Sequence, residues 1–100
     1  MDTIFATASA RGKAGIAVVR ISGPDALGTL SQLTDGVVLP RRASLRKLRY
    51  GGAVLDEAVV LFFSGPESFT GEDVVEFHVH GSTATVSAVM RVLADAGLRL

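Results

Sequence analysis

The clearest pattern in this chain is the alternation of apolar and ionisable residues across the segment VVEFHVH, residues 74–80. Apolar side chains at positions 75, 77 and 79 alternate there with Glu76, His78 and His80. Because successive side chains of a strand point to opposite faces, the segment predicts a strand with one apolar face. The other face would carry three adjacent ionisable groups. A sheet does not need them for stability, and they suggest the floor of a binding site.

The first part of the chain predicts two strands, at residues 3–8 and at Ile16–Ile21, separated by a glycine-containing loop over residues 9–15. The second strand is apolar throughout apart from Arg20. We therefore expect it to be central in a sheet and covered on both faces.

A helix should follow, because residues 22–25 (SGPD) form a typical helix start. Ser22 or Gly23 can cap it, and Pro24 suits the first turn. The helix should end near Gly36. Its predicted inward side chains are Ala26, Leu27, Leu30 and Leu33.

The second half predicts a three-stranded meander. Its turn is Gly51-Gly52, after which the second strand resumes beyond Asp56-Glu57 and is broken at Gly65-Pro66. The predicted strands are Leu45–Tyr50, Ala58–Phe63 and Val74–His80.

A second helix is predicted from residues 81–83 to a stop at Gly97, and residues 98–100 begin another strand. The inner residues of this helix should be Val86, Val89, Met90 and Leu93. The whole order predicts an α+β fold, a mostly antiparallel mixed sheet with two helices packed on one face. Because the last strand is unfinished, we expect the chain to be a fragment of something longer.

Composition narrows the class of protein. One hundred residues, 48% hydrophobic and 20% charged, fit one domain with a real core. Ten basic residues balance ten acidic ones, so no overall field attracts nucleic acid or lipid. The absence of cysteine excludes disulfides, thiolate metal sites and cysteine nucleophiles. Without a secretion signal or a bilayer-length apolar run, we expect a cytoplasmic protein with no membrane contact.

The charges are sorted along the chain, with a basic stretch over residues 41–49 and an acidic one over residues 67–76. The basic stretch can be read as a contact for RNA phosphates. The interpretation that we favour is a solvated loop and edge strand whose charges discourage sheet-to-sheet aggregation, because no aromatic residues interleave with the basic ones.

Two residues are the best candidates for ligand chemistry. The Glu76 carboxylate can accept paired hydrogen bonds from a ring N–H and a neighbouring amino group, as pterins and guanines display them. The alternative is a glutamate on the wet face of a sheet. Arg20, the sole charge in its strand, needs either a structural carboxylate or an anionic ligand as its partner.

Other chemistries are less well supported by the sequence. His78, His80 and Glu76 form a two-histidine, one-carboxylate set, but three residues along one strand make a line rather than a tetrahedral corner. Histidines that line a ligand cleft or a subunit contact fit this pattern better than a metal site does. Glu72 and Asp73 read more naturally as part of a turn than as an acid–base pair. The phosphate-binding pattern GxxxxGK followed by Ser or Thr does not occur, and residues 12–15 (GKAG) suit a plain turn. No catalytic residue is assigned.

Two segments carry a resemblance to a known family. Residues 2–23, DTIFATASARGKAGIAVVRISG, and residues 64–82, SGPESFTGEDVVEFHVHGS, resemble the N-terminal domain of the MnmE/TrmE family of tRNA-modification GTPases. That family typically starts with DTI, a glycine-rich loop and a strand ending in RISG. It later carries P-x-S-F/Y-T-G-E-D-V/L-x-E followed by HG. Both motifs occur here in that order.

The resemblance implies a folate-binding fold and homodimerisation. At the positions of Arg20 and Glu76 the family contacts a tetrahydrofolate derivative, the 5-formyl or 5,10-methylene form. With a flavoprotein partner of the MnmG/GidA type, the family forms 5-carboxymethylaminomethyl-uridine at the wobble position of tRNA. GTP, magnesium and potassium belong to a G domain, which residues 1–100 do not include, so this chain is not expected to hydrolyse GTP.

Two other interpretations remain open at this stage. The chain can be a stand-alone module that senses a small ligand, since such modules share this order of elements. It can also be a purely structural dimerisation domain in which a strand edge pairs with its twin.

Overall fold

Five strands and two helices follow one another along the chain. The computed structural model describes residues 3–7, 15–36, 38–66, 68 and 70–100. The elements are β1 (Ile4–Thr7), β2 (Ile16–Ser22), α1 (Ala26–Leu33), β3 (Ser44–Tyr50), β4 (Ala53–Phe63), β5 (Val74–His80) and α2 (Thr83–Asp95).

The strands form one sheet in the order β1-β2-β5-β4-β3, and each neighbouring pair is antiparallel. The predicted meander is therefore β3-β4-β5, and both glycines of its turn, Gly51 and Gly52, have positive φ angles of 59° and 82°. Beside β1, Arg99 forms an isolated parallel bridge with Ile4, so the strand expected to begin at residues 98–100 is present as one bridge residue, and its parallel direction makes the sheet mixed.

Both helices pack on one face of the sheet, as predicted. The core contains the odd-numbered residues of β2 and β5, with Phe77 fully buried in the middle strand. The helix side chains that are buried are Ala26, Thr29, Leu30 and Leu33 of α1 and Val89, Val92 and Leu93 of α2. The α+β fold class is confirmed.

Strand β2 lies inside the sheet, but the prediction that both of its faces are covered is wrong. Ile16 is 59% exposed, and Val18 and Arg20 are half-buried. The physical reason is that both helices occupy the same face, so the even-numbered positions of β2 belong to the opposite one.

Helix α1 departs from its prediction in two details. Its N-cap is Asp25 rather than Ser22 or Gly23, and within the described part of the chain no side chain caps it. Leu27 is 43% exposed, while Thr29 is buried and donates its hydroxyl hydrogen bond to the Asp25 carbonyl at 2.9 Å. The buried residues of α1 follow the i, i+3, i+4, i+7 spacing from Ala26, and Leu27 lies outside that stripe.

Strand β4 is longer than predicted, because it runs unbroken through Asp56-Glu57. A register shift in the β3–β4 pairing, between Leu48 and Arg49, accommodates the irregularity.

Of the predicted loop at 9–15, only Gly15 lies among the described residues. Among the helices of those residues, none is long and apolar enough to cross a membrane.

Candidate functional site

Arg20 and Glu76, the two residues singled out from the sequence, are direct partners across β2 and β5. Arg20 donates from Nε at 2.8 Å and from a terminal guanidinium nitrogen at 2.6 Å, and both bonds reach Oε2 of Glu76. Their strand neighbours, among them Val19 and Phe77, fill the core under the helices. Alternation therefore sends Arg20 and Glu76 together to the opposite face.

The Glu76 carboxylate is nearly buried, with 8% of its side chain exposed, against 35% for Arg20. A charge removed from water in this way is stable only when it is paired and hydrogen-bonded. Of the two partners that the sequence left open for Arg20, the structure therefore shows the carboxylate.

His78 extends the Arg20–Glu76 pair, because its Nε2 lies 3.1 Å from Oε1 of Glu76. The three side chains Arg20, Glu76 and His78 thus form a hydrogen-bonded row, the polar chain of this site. Each carboxylate oxygen thus has a partner, Arg20 on one and His78 on the other. In the sheet register Leu61 lies opposite Glu76, and His78 lies between Val18 and Val59. The polar chain is flanked by aliphatic side chains.

His80 does not join this group, contrary to the expectation of three ionisable residues acting together. Its backbone N–H donates to Oδ2 of Asp56 at 2.8 Å, and its Nδ1 lies 2.7 Å from Oδ1. The sequence analysis missed this pair because it read Asp56 as an interruption of the strand. Within the described residues, no group of three or more His, Asp or Glu is arranged to hold a metal ion.

Opposing effects act on the pKa of the Asp56 carboxyl. Burial raises the pKa. This effect is outweighed by hydrogen bonds from the backbone and ring of His80 and from the backbone of Glu57, together with the attraction of the His80 charge. The pKa of Asp56 is therefore held below its ordinary value of 3.8.

Described residues of the loop between β4 and β5 are hydrogen-bonded to the end of β2 and to the residue that follows it. The Thr70 hydroxyl lies 2.8 Å from the hydroxyl of Ser22, two residues after Arg20 on β2.

Asp73 accepts two hydrogen bonds. Its side chain accepts from the Gly65 N–H at 2.9 Å, and its backbone carbonyl accepts from the Gly23 N–H at 3.0 Å. Asp73 therefore has a structural position, in agreement with the turn interpretation. Glu67 and Phe69 of this loop lie outside the described residues.

The basic stretch lies on the edge strand β3 and the turn before it, as expected. The Arg41 guanidinium lies 5.7 Å from the centre of the Phe63 ring, and Arg49 forms a 3.3 Å ion pair with Asp35. Both are local contacts of a sheet edge.

Comparison with known proteins identifies the family. Residues 3–100 match the family model described as "GTP-binding protein TrmE N-terminus". The chain is 55% identical to the tRNA modification GTPase MnmE of Cereibacter sphaeroides, 56% to that of Ruegeria pomeroyi and 57% to that of Dinoroseobacter shibae.

These alignments cover 100% of the chain but only 24% of each relative. The chain thus spans about a quarter of the length of the relatives that it matches. Because the family model matches almost every residue, the chain belongs to the family of TrmE N-terminal domains.

Proposed function

We propose that residues 1–100 are the folate-binding and dimerisation domain of a cytoplasmic tRNA-modification GTPase. The ligand is a tetrahydrofolate derivative, in the 5-formyl or the 5,10-methylene form, and Arg20 and Glu76 hold it. The proposal is supported by the family and by one observation, the Arg20–Glu76 pair on the sheet face opposite the helices.

The Glu76 carboxylate, as a hydrogen-bond acceptor, fits the N–H groups of the pterin part of such a ligand. Arg20 bonds only to Oε2 of the carboxylate and His78 contacts Oε1, which with two acceptor positions retains capacity for one further N–H. Charge assistance strengthens such a bond. The aliphatic residues beside the polar chain, Leu61 and Val59, offer apolar surface to a flat heterocycle.

The wider activity follows the names of the relatives, which are tRNA modification GTPases. In this proposal the domain works as a homodimer, and a flavoprotein of the MnmG/GidA type joins it to form 5-carboxymethylaminomethyl-uridine at the tRNA wobble position. The sequence contains no GxxxxGK pattern, so residues 1–100 do not hydrolyse GTP themselves. GTP, magnesium and potassium are assigned to a separate G domain.

Folate binding is tested by titrating the chain with 5-formyltetrahydrofolate and following its backbone amide signals by NMR, which reports affinity and folding together. Wild-type protein should show saturable shifts at β2 and β5. Glu76→Gln removes the charge and keeps the shape, and it should raise Kd by about 10- to 100-fold, the loss of charged hydrogen bonds worth about 1.5–3 kcal/mol.

The matched control is Glu57→Gln on the neighbouring strand β4, whose side chain is exposed. It should bind as the wild type does. Equal affinities for wild type and a folded Glu76→Gln protein would remove Glu76 from the site. Absence of saturable binding by the wild type would contradict the folate function. It would favour the purely structural dimerisation domain, for which sedimentation equilibrium gives the oligomeric state.

A further inference from the structure

Both partners of Glu76 are more accessible to solvent than its carboxylate is. The Glu76 side chain is only 8% exposed, whereas those of Arg20 and His78 are 35% and 28% exposed. A ligand that reaches this face from solvent can therefore contact the imidazole of His78 as well as the guanidinium of Arg20.

Hydrogen bonding determines what His78 presents. An ionised carboxylate only accepts, so the 3.1 Å contact between Nε2 of His78 and Oε1 of Glu76 favours the tautomer with the proton on Nε2. In the neutral ring, the other nitrogen, Nδ1, is then a hydrogen-bond acceptor. Glu76 thus orients the ring and favours this tautomer.

The surroundings of His78 preserve this arrangement. Its partners in the sheet register are Val18 on β2 and Val59 on β4, so neither neighbouring strand places a competing polar side chain directly opposite the ring. In the described part of the chain, the charged group that contacts it is Glu76, on its own strand, whose other carboxylate oxygen is bonded to Arg20.

We propose that His78 is a ligand-contacting residue of this site, whose Nδ1 accepts a hydrogen bond from an N–H of the pterin while Glu76 fixes the ring. The inference rests on the folate function proposed above and adds to it a residue that recognises a hydrogen-bond donor. It also gives Glu76 a second task, the orientation of His78.

Three substitutions separate direct contact from support of Glu76. His78→Leu removes both ring nitrogens and should raise the Kd for 5-formyltetrahydrofolate by about five- to tenfold, the loss of one net hydrogen bond. His78→Asn keeps a polar atom near the position of Nδ1, and His78→Gln keeps one near Nε2. If Nδ1 contacts the ligand, His78→Asn should bind more tightly than His78→Gln.

Imidazole ¹⁵N NMR gives a signature that a merely structural role would not produce. The Nδ1 signal of His78 should move when 5-formyltetrahydrofolate is added. The matched control is His80, which is 72% exposed and paired with Asp56: its Nδ1 signal should stay in place, and His80→Leu should bind like the wild type.

The affinities of the His78 variants decide whether His78 contacts the ligand directly. Wild-type affinity in His78→Leu, or wild-type affinity in His78→Gln together with loss in His78→Asn, would overturn the direct contact while leaving the folate function intact. Failure of the wild-type chain to bind would overturn the folate function and this inference together. Thermal melts of all variants confirm that they are folded.

Discussion

At the scale of single residues, two carboxylates on this sheet are stabilised in different ways. Glu76 has 8% of its side chain exposed and is held by Arg20 and His78. Asp56 has 11% exposed and is held by the backbone and ring of His80. In both, hydrogen bonds from a neighbouring strand or residue compensate for the loss of water. Only Glu76 stands beside an arginine on the proposed ligand face.

The lowered pKa of Asp56 predicts a pH-dependent contribution to stability. A depressed folded-state pKa stabilises the protein above the unfolded-state value of 3.8, and this stabilisation is lost as the pH falls through the folded-state pKa. Asp56→Asn should therefore lower the free energy of unfolding by about 1–2 kcal/mol near neutral pH. The difference from the wild type should shrink as the pH falls below 3.8.

Urea unfolding at a series of pH values measures this difference. Asp35→Asn is the control, because Asp35 is 84% exposed and its ion pair with Arg49 should contribute less than about 1 kcal/mol. A constant gap between Asp56→Asn and the wild type at all pH values would show that the charge of Asp56 is not responsible.

At the scale of elements, several hydrogen bonds hold the described residues of the loop between β4 and β5. Asp73 ties it to Gly65 and to Gly23, and Thr70 ties it to Ser22. The loop also folds closely on itself: a Cβ built at Gly65 would lie 2.6 Å from the Gly71 carbonyl oxygen. A glycine is required at this position because backbone atoms occupy the space of a side chain.

Two glycine-to-alanine substitutions should therefore have opposite effects. Gly65→Ala forces loop backbone atoms apart and should destabilise the protein by about 1–3 kcal/mol. Gly28→Ala lies in α1, where no described atom is within 4 Å of the added Cβ, and should stabilise by up to about 1 kcal/mol through helix propensity. Thermal melts measure both, at about 4–8 °C per kcal/mol for a domain of this size. A higher melting temperature for Gly65→Ala would contradict the close packing of the loop.

At the scale of the whole molecule, a single core on one face of the sheet supports everything else. Phe77 lies in the middle strand with 0% exposure, surrounded by residues of both neighbouring strands and under the helices. The opposite face carries Arg20 and Glu76, together with exposed apolar residues such as Ile16 and Leu45. One face of β5 thus packs into the core and stabilises the fold, and the other face carries the proposed ligand-binding residues.

Phe77→Ala should remove about 3–5 kcal/mol of stability, a large part of what a small domain possesses. Ile16→Ala, on the face opposite the core and 59% exposed, should change stability by about 0.5 kcal/mol or less. Urea denaturation of both proteins makes the comparison. Equal losses would mean that the face opposite the helices is also a packed core.

Local patterns in the sequence determined much of this molecule. Period-two alternation located β5 from Val74 to His80, and Ser82 and Gly97 marked the ends of α2. The motifs around Arg20 and Glu76 were enough to indicate the family, because they are linear strings of residues. Patterns of this kind are complete within a few neighbouring positions, so no knowledge of distant contacts is needed.

Only the tertiary structure determined which residues of different strands lie next to one another. The register of β2 on β5 joins Arg20 to Glu76, and hydrogen bonds between β4 and β5 give His80 a partner, Asp56, different from that of His78. The exposure of one face of β2 likewise results from the packing of both helices on the other face of the sheet. These outcomes depend on the alignment of segments far apart in the chain, which the composition of either segment alone does not specify.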